Sequence, residues 1–120
     1  MYMDSENLIL IAAEACDDRK AVNIQMIKIN EVSSLADWIL VTEGLSDVQV
    51  RAIVQNVEKR IRDKTSIEPI RKEGINEAKW ALLDYGDVII NVLQTSERTY
   101  YNLEAFWSNG ITKAFNPSKT

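Results

Sequence analysis

The stretch from Glu73 to Leu93 restricts the fold of this chain more than any other. Two apolar runs, Trp80 to Leu83 and Val88 to Leu93, flank Asp84-Tyr85-Gly86-Asp87. Gly86 supplies the φ > 0 position that a tight turn needs, so the stretch reads as a β-hairpin. With Tyr85 and Gly86 as a two-residue loop, Leu83 faces Val88, Leu82 faces Ile89, Ala81 faces Ile90 and Trp80 faces Asn91. Because strand side chains alternate, one face is Ala81, Leu83, Val88, Ile90 and Val92, wholly apolar. The other mixes Trp80, Leu82, Ile89 and Leu93 with Asp84, Asp87 and Asn91, a poor composition for a core and a good one for docking.

The flanking segments supply layers for that hairpin to pack in. Asp4 or Ser5 caps a first helix with Leu8, Ile11, Ala12 and Ala15 on one face, ending near Asp18. Asn23 to Asn30 alternates and reads as a strand, and Trp38 to Thr42 as a second. Ser46 and Gln49 form a capping box, with Leu45 and Val50 at the positions of a hydrophobic staple. The helix they open buries Val50, Ile53, Val54, Val57 and Ile61, pairs Glu58 with Arg62, and ends near Lys64. Ile67 to Lys72 is strand-like, and Pro69, which lacks a ladder donor, puts it at an edge or at a strand entry. After the hairpin, Thr95 or Ser96 caps a last helix carrying Tyr100, Leu103 and Trp107, which Asn109-Gly110 stops. The order predicts a single layered α/β/α domain over residues 1–111 with a mixed five-stranded sheet, a right-handed crossover at the middle helix, and a C-terminal tail over 112–120.

A chain of 120 residues buries roughly two thirds of its unfolded surface without needing disulfides or metals. No apolar run approaches the roughly 20 residues of a membrane span. An acidic N-terminal segment without a basic n-region, and a lone Cys16, point to the cytoplasm. Net charge is −4, which suits a basic protein partner better than a phosphate backbone. There is no histidine, which excludes His-based acid–base catalysis and His-ligated metals.

Several residues have both a bland and a chemical reading. Gly44-Leu45-Ser46 before a helix is a place for an anion, but one glycine and no following Lys make a weak signal, and Ser46 is already occupied as a cap. Asp84 and Asp87 flank a turn; as a pair they could hold a divalent ion, and as turn residues they keep a sheet end solvated. Cys16, with no neighbouring His or second Cys, is a half-buried structural thiol. Asp37, before a strand, is a turn or cap residue. Trp38 and Trp107 are core aromatics, whereas Trp80 stays open between core and interface because of the polar company on its face.

The motifs taken together resemble one family. Ala36-Asp37-Trp38-Ile39-Leu40-Val41-Thr42, Gly44 and Ser46, Glu73-Gly74, Trp80-Ala81-Leu82-Leu83-Asp84, Gly86-Asp87-Val88-Ile89-Ile90, and Glu97-Arg98, Tyr101, Leu103-Glu104 and Trp107 are similar to the ribosomal silencing factor family, RsfS or Iojap, over about Leu8 to Trp107. The resemblance implies a nucleotidyltransferase-like fold without enzymatic activity, catalytic residues, metal or cofactor. It implies a translational repressor that binds the large ribosomal subunit through ribosomal protein L fourteen and blocks joining of the small subunit under nutrient limitation. Two positions depart from the family pattern: Asn91 stands where His is usual, and Phe106 where Leu is usual.

On that basis Trp80 and Leu82 are the expected apolar anchor, with Tyr85, Pro69 and Ile70 nearby. Glu73, Asp84 and Asp87 are expected to meet Arg and Lys of the partner, and Asn91 to hydrogen-bond across to it. The Pro69-bearing edge and the mixed hairpin face would also suit a homodimer. Two rivals from other classes are a metal-dependent nucleotidyltransferase using Asp84 and Asp87, and an RNA-binding module whose affinity falls steeply with salt.

Overall fold

A computed structural model describes residues 4–101 and 111–115. Helix α1 (Ser5–Asp18) starts at Asp4, whose carboxylate accepts from the Asn7 amide. Strands β1 (Val22–Lys28) and β2 (Trp38–Gly44) pair antiparallel, and β2 leads into α2 (Asp47–Thr65). Three strands follow, β3 (Arg71–Glu73), β4 (Trp80–Asp84) and β5 (Val88–Gln94), then α3 (Thr95–Tyr101) and β6 (Ile111–Ala114). The sheet order is β3-β4-β5-β2-β1-β6, with β2 and β5 the parallel pair at its centre. The sheet is mixed, as the hairpin demands, and carries one strand more than the five expected. Thr112 to Ala114, expected in the tail, pair with β1. Five residues between Gly110 and Asn116-Pro117 make too short a run for periodicity to register. Residues 116–120 and the rest of the last helix's stripe, Leu103 and Trp107, lie outside the described residues.

Each sheet face has its own cluster. The first holds α1 and α2 against Trp38, Leu40, Ala81, Leu83, Val88 and Ile90. The stripe Val50, Ile53, Val54, Val57 and Ile61 is wholly buried there, each side chain contributing about 1.5–3 kcal/mol relative to exposure. That burial holds a helix whose valines are mediocre helix formers. Ser46 Oγ accepts from the Gln49 amide at 3.1 Å, as the capping box requires, while Gln49 Oε1 returns to the Leu45 amide (2.7 Å), one residue earlier than a standard box. The staple does not close: Val50 is buried, but Leu45 is 73% exposed. Instead Val50 fills the space above Gly44, where a Cβ would stand 2.9 Å from its methyl.

Other local expectations shift for tertiary reasons. Glu58 bridges to Lys72 of β3 at 3.3 Å and Arg62 to Glu68 at 2.7 Å, so neighbouring strands and loops displace the expected Glu58–Arg62 pair. The strand expected at Ile67 to Lys72 begins only at Arg71, since Pro69 cannot enter a ladder and Ile70 makes the first contact, donating to the Asp84 carbonyl at 2.7 Å. Cys16 is completely buried, not half-buried, and burial pushes its thiol well above the ordinary thiol range.

Candidate functional site

The hairpin forms, but one residue later than expected. Tyr85 donates to the Val88 carbonyl (2.9 Å), which makes Gly86 and Asp87 the two-residue loop. Gly86 takes φ +89, and its amide donates to Asp84 Oδ1 at 2.8 Å. The register is therefore Trp80↔Leu93, Ala81↔Val92, Leu82↔Asn91, Leu83↔Ile90 and Asp84↔Ile89. Leu82, not Trp80, stands opposite Asn91. The shift moves each partner by two residues, so both faces keep the composition read from the sequence.

The second face can be laid out row by row, because directly paired residues share a side of the sheet. One row runs Arg71, Asp84, Ile89, Ile39, Ile27, and the next Glu73, Leu82, Asn91, Val41. A third runs Trp80, Leu93, Glu43. The inner members, Ile27, Ile39, Val41, Ile89 and Leu93, are a buried cluster, with Trp80 and Leu82 half-buried at its border. Outside them stands β3 at the sheet edge, all three of its residues exposed. Glu73, Gly74, Trp80 and Leu82 line a groove of about 420 Å³. Gly74 (φ +72) passes so near Trp80 that a Cβ would lie 2.1 Å from the Trp80 carbonyl oxygen, so the groove wall depends on glycine.

Beneath this border lie two polar anchors. Asn91, 4% exposed, accepts from Trp80 Nε1 at 2.9 Å and donates to the Leu40 carbonyl at 3.3 Å. It was expected to reach a partner; the structure puts it under the surface, holding the indole. Further along, Arg98 of α3 meets Glu43 at 3.2 Å and donates to the Asn23 carbonyl, while Asn23 donates to Glu43 at 3.2 Å. Arg98 and Glu43 are 7% and 6% exposed, and Asn23 takes φ +53 to join them. Buried charge of this kind persists only when paired and hydrogen-bonded.

The nine residues singled out from sequence thus separate into groups. Glu73, Trp80, Leu82 and Asp84 come together on one face. Ile70 (75% exposed), half-buried Pro69 and exposed Asp87 lie at the turn end of the hairpin, where Ile70 Cδ1 packs over Gly86. Tyr85 is on the opposite, helix-covered side, 7% exposed in the first cluster, because the turn begins one residue later than expected. Burial pushes its hydroxyl well above the ordinary phenol range, with Glu58 and Glu68 adding to the shift. Arg71 was missed. Only the β3–β4 register reveals that it sits opposite Asp84.

The bland readings of the chemical candidates are structurally satisfied. Asp84 caps the Gly86 turn and contacts Arg71, and Ser46 is engaged as a helix cap. Among the described residues, no group of three or more His, Cys, Asp or Glu is placed to hold a metal ion. No helix among them is long and apolar enough to cross a membrane.

A half-buried Trp–Leu strip bordered by charged side chains thus lies near the open edge of the sheet in this α/β domain. The sequence model described as "Ribosomal silencing factor during starvation" matches residues 2–119. The chain is 39% identical over 107 residues to the ribosomal silencing factor RsfS of Bacillus subtilis, covering 89% of this chain and 90% of that protein. A crystal structure from Chromobacterium violaceum superposes with a TM-score of 0.85 at 29% identity, over 88% of each chain. One from Bacillus halodurans gives 0.77 at 37% identity, over 86% of this chain and 95% of that one. The chain belongs to the ribosomal silencing factor family. Its relatives are named as regulatory factors and not as enzymes, the class expected from the sequence.

Proposed function

We propose that this protein represses translation in the cytoplasm by binding the large ribosomal subunit through ribosomal protein L fourteen and sterically blocking the small subunit. The observation that carries this reading is the border strip of the second face. Trp80 and Leu82 are half-buried there, beside exposed Glu73 and the partly exposed carboxylate of Asp84. Such a strip offers an apolar anchor with an acidic rim to a basic protein surface, the arrangement in which aromatic anchors supply affinity and rim charges supply orientation and encounter rate. The step is occlusion, with no bond made or broken. Asp87 and Ile70, at the turn end of the same hairpin, extend the contact.

Co-sedimentation tests the first half directly. The protein is expected to travel with isolated large subunits and not with small ones. Binding to protein-free ribosomal RNA with a steep salt dependence would favour an RNA-binding module instead. Magnesium-dependent nucleotide binding lost in Asp84→Asn would favour a transferase.

A further inference from the structure

We infer that Arg71 is an internal stand-in for a cation of the partner, occupying the acidic rim until a basic protein surface displaces it. The inference rests on the reading that the Trp80 strip is the docking face.

Four observations support it. The pairing of β3 with β4 sets Arg71 opposite Asp84 and Glu73 opposite Leu82, so the guanidinium and both carboxylates share the face of Trp80. Arg71 is divided between them, with Nε 3.3 Å from Glu73 Oε2 and Nη2 3.4 Å from Asp84 Oδ2. Both contacts exceed the roughly 2.7–2.9 Å of a strong charge-assisted bond, a length that Arg62–Glu68 (2.7 Å) and Arg51–Asp47 (2.8 Å) do reach. The Arg71 side chain is 58% exposed, so its hold is screened and contributes little to stability.

Of the two carboxylates, Asp84 is the more firmly held. Asp84 is only 19% exposed in its side chain, and its Oδ1 is fixed by the Gly86 amide. Its charge stays in place when Arg71 swings away. Glu73 follows the backbone of β3 next to Gly74, at the mouth of the groove lined by Trp80 and Leu82. That groove has an apolar floor and a carboxylate at its rim, which suits the aliphatic stem and charged head of a Lys or Arg. With Arg71 present, Glu73, Asp84 and Arg71 sum to −1; without it, the pair of carboxylates sums to −2. Arg71 therefore lowers the attraction for basic surfaces in general and yields only where a partner supplies its own cation together with an apolar contact, which is specificity obtained by competition.

The test measures affinity for isolated large subunits across salt concentrations for the wild-type chain, Arg71→Gln, and Arg71→Gln combined with Glu73→Gln and Asp84→Asn. Arg71→Gln is expected to bind about fivefold more tightly at low salt, with the gain shrinking as salt rises. The triple variant is expected to lose the gain. Equal or weaker binding by Arg71→Gln would overturn the inference while leaving the docking face standing, because Arg71 would then be inert or itself a contact. Failure of the wild-type chain to bind large subunits would remove the docking face and this inference with it.

Discussion

The indole N–H of Trp80 donates to the side-chain oxygen of Asn91 at 2.9 Å, diagonally across the β4–β5 ladder, and the Asn91 amide donates onward to the Leu40 carbonyl of β2. The surface aromatic is thereby tied to the central parallel pair of the sheet. Asn91→Ala removes both bonds and leaves a small void at a position 4% exposed. It is expected to cost about 1–3 kcal/mol, read as a lower urea midpoint, and to weaken the near-ultraviolet circular dichroism of the tryptophans. Affinity for large subunits should fall with it, while Asn91→His, which retains a donor and an acceptor, should recover part of both.

Two glycines of the hairpin region should respond very differently to alanine. At Gly74 the backbone has φ +72 and the new methyl would sit 2.1 Å from the Trp80 carbonyl oxygen, with no flexible neighbour to yield. Gly74→Ala is expected to cost more than about 2 kcal/mol. At Gly86, also at positive φ, the nearest atom is the Ile70 Cδ1 at 3.2 Å, the end of an exposed side chain. Gly86→Ala should cost about 1 kcal/mol, a difference that chemical denaturation resolves.

Arg98 links α3 to the sheet through Glu43 and the Asn23 carbonyl. Truncating it leaves Glu43 charged at 6% exposure. Arg98→Ala is expected to destabilise by about 3–5 kcal/mol, whereas removing an exposed pair, as in Lys59→Ala, should change stability by no more than about 1 kcal/mol. Thermal or urea unfolding of the two variants checks the contrast.

Tyr85 buries a hydroxyl that has no hydrogen-bond partner among the described residues. Tyr85→Phe should therefore stabilise the fold at neutral pH by up to about 1 kcal/mol. Cys16 and Tyr85 both have their folded pKa raised above ordinary values of 9.0 and 10.0, chiefly by burial. For groups shifted in this direction the folded state holds the proton more tightly. Their contribution is complete below the ordinary values and drains away as pH rises above them. Stability should thus decline from about pH 9 upward, and Tyr85→Phe and Cys16→Ala should flatten that decline in urea titrations.

Much of this architecture is legible from the chain because local signals and burial agree. The α2 stripe and the Ser46 cap carry helical spacing and capping chemistry in a few residues, and the two hairpin faces survive a register error because strand alternation has a period of two. What escaped depended on partners distant in sequence. Leu45 was misread because Gly44 lets Val50 pack against the strand instead, and Tyr85 because the turn starts one residue later than its glycine suggested. Strand β6 is too short to signal itself and forms only by adding to β1. Arg71 and the buried Glu43–Arg98 pair, with Asn23 bonded to both, exist only as cross-strand and cross-element relations, which spacing along one segment does not encode.

The proposed function is tested most directly by mixing purified large and small ribosomal subunits under joining conditions, with and without the protein, and following the joined particle by gradient sedimentation. The wild-type chain is expected to reduce the joined peak and to travel with the large subunit. Trp80→Ala, folded by circular dichroism, should need a concentration higher by the equivalent of about 2 kcal/mol or more of binding. An undiminished joined peak at saturating wild-type protein, or equal potency of Trp80→Ala, would contradict a repressor that docks through the Trp80 face.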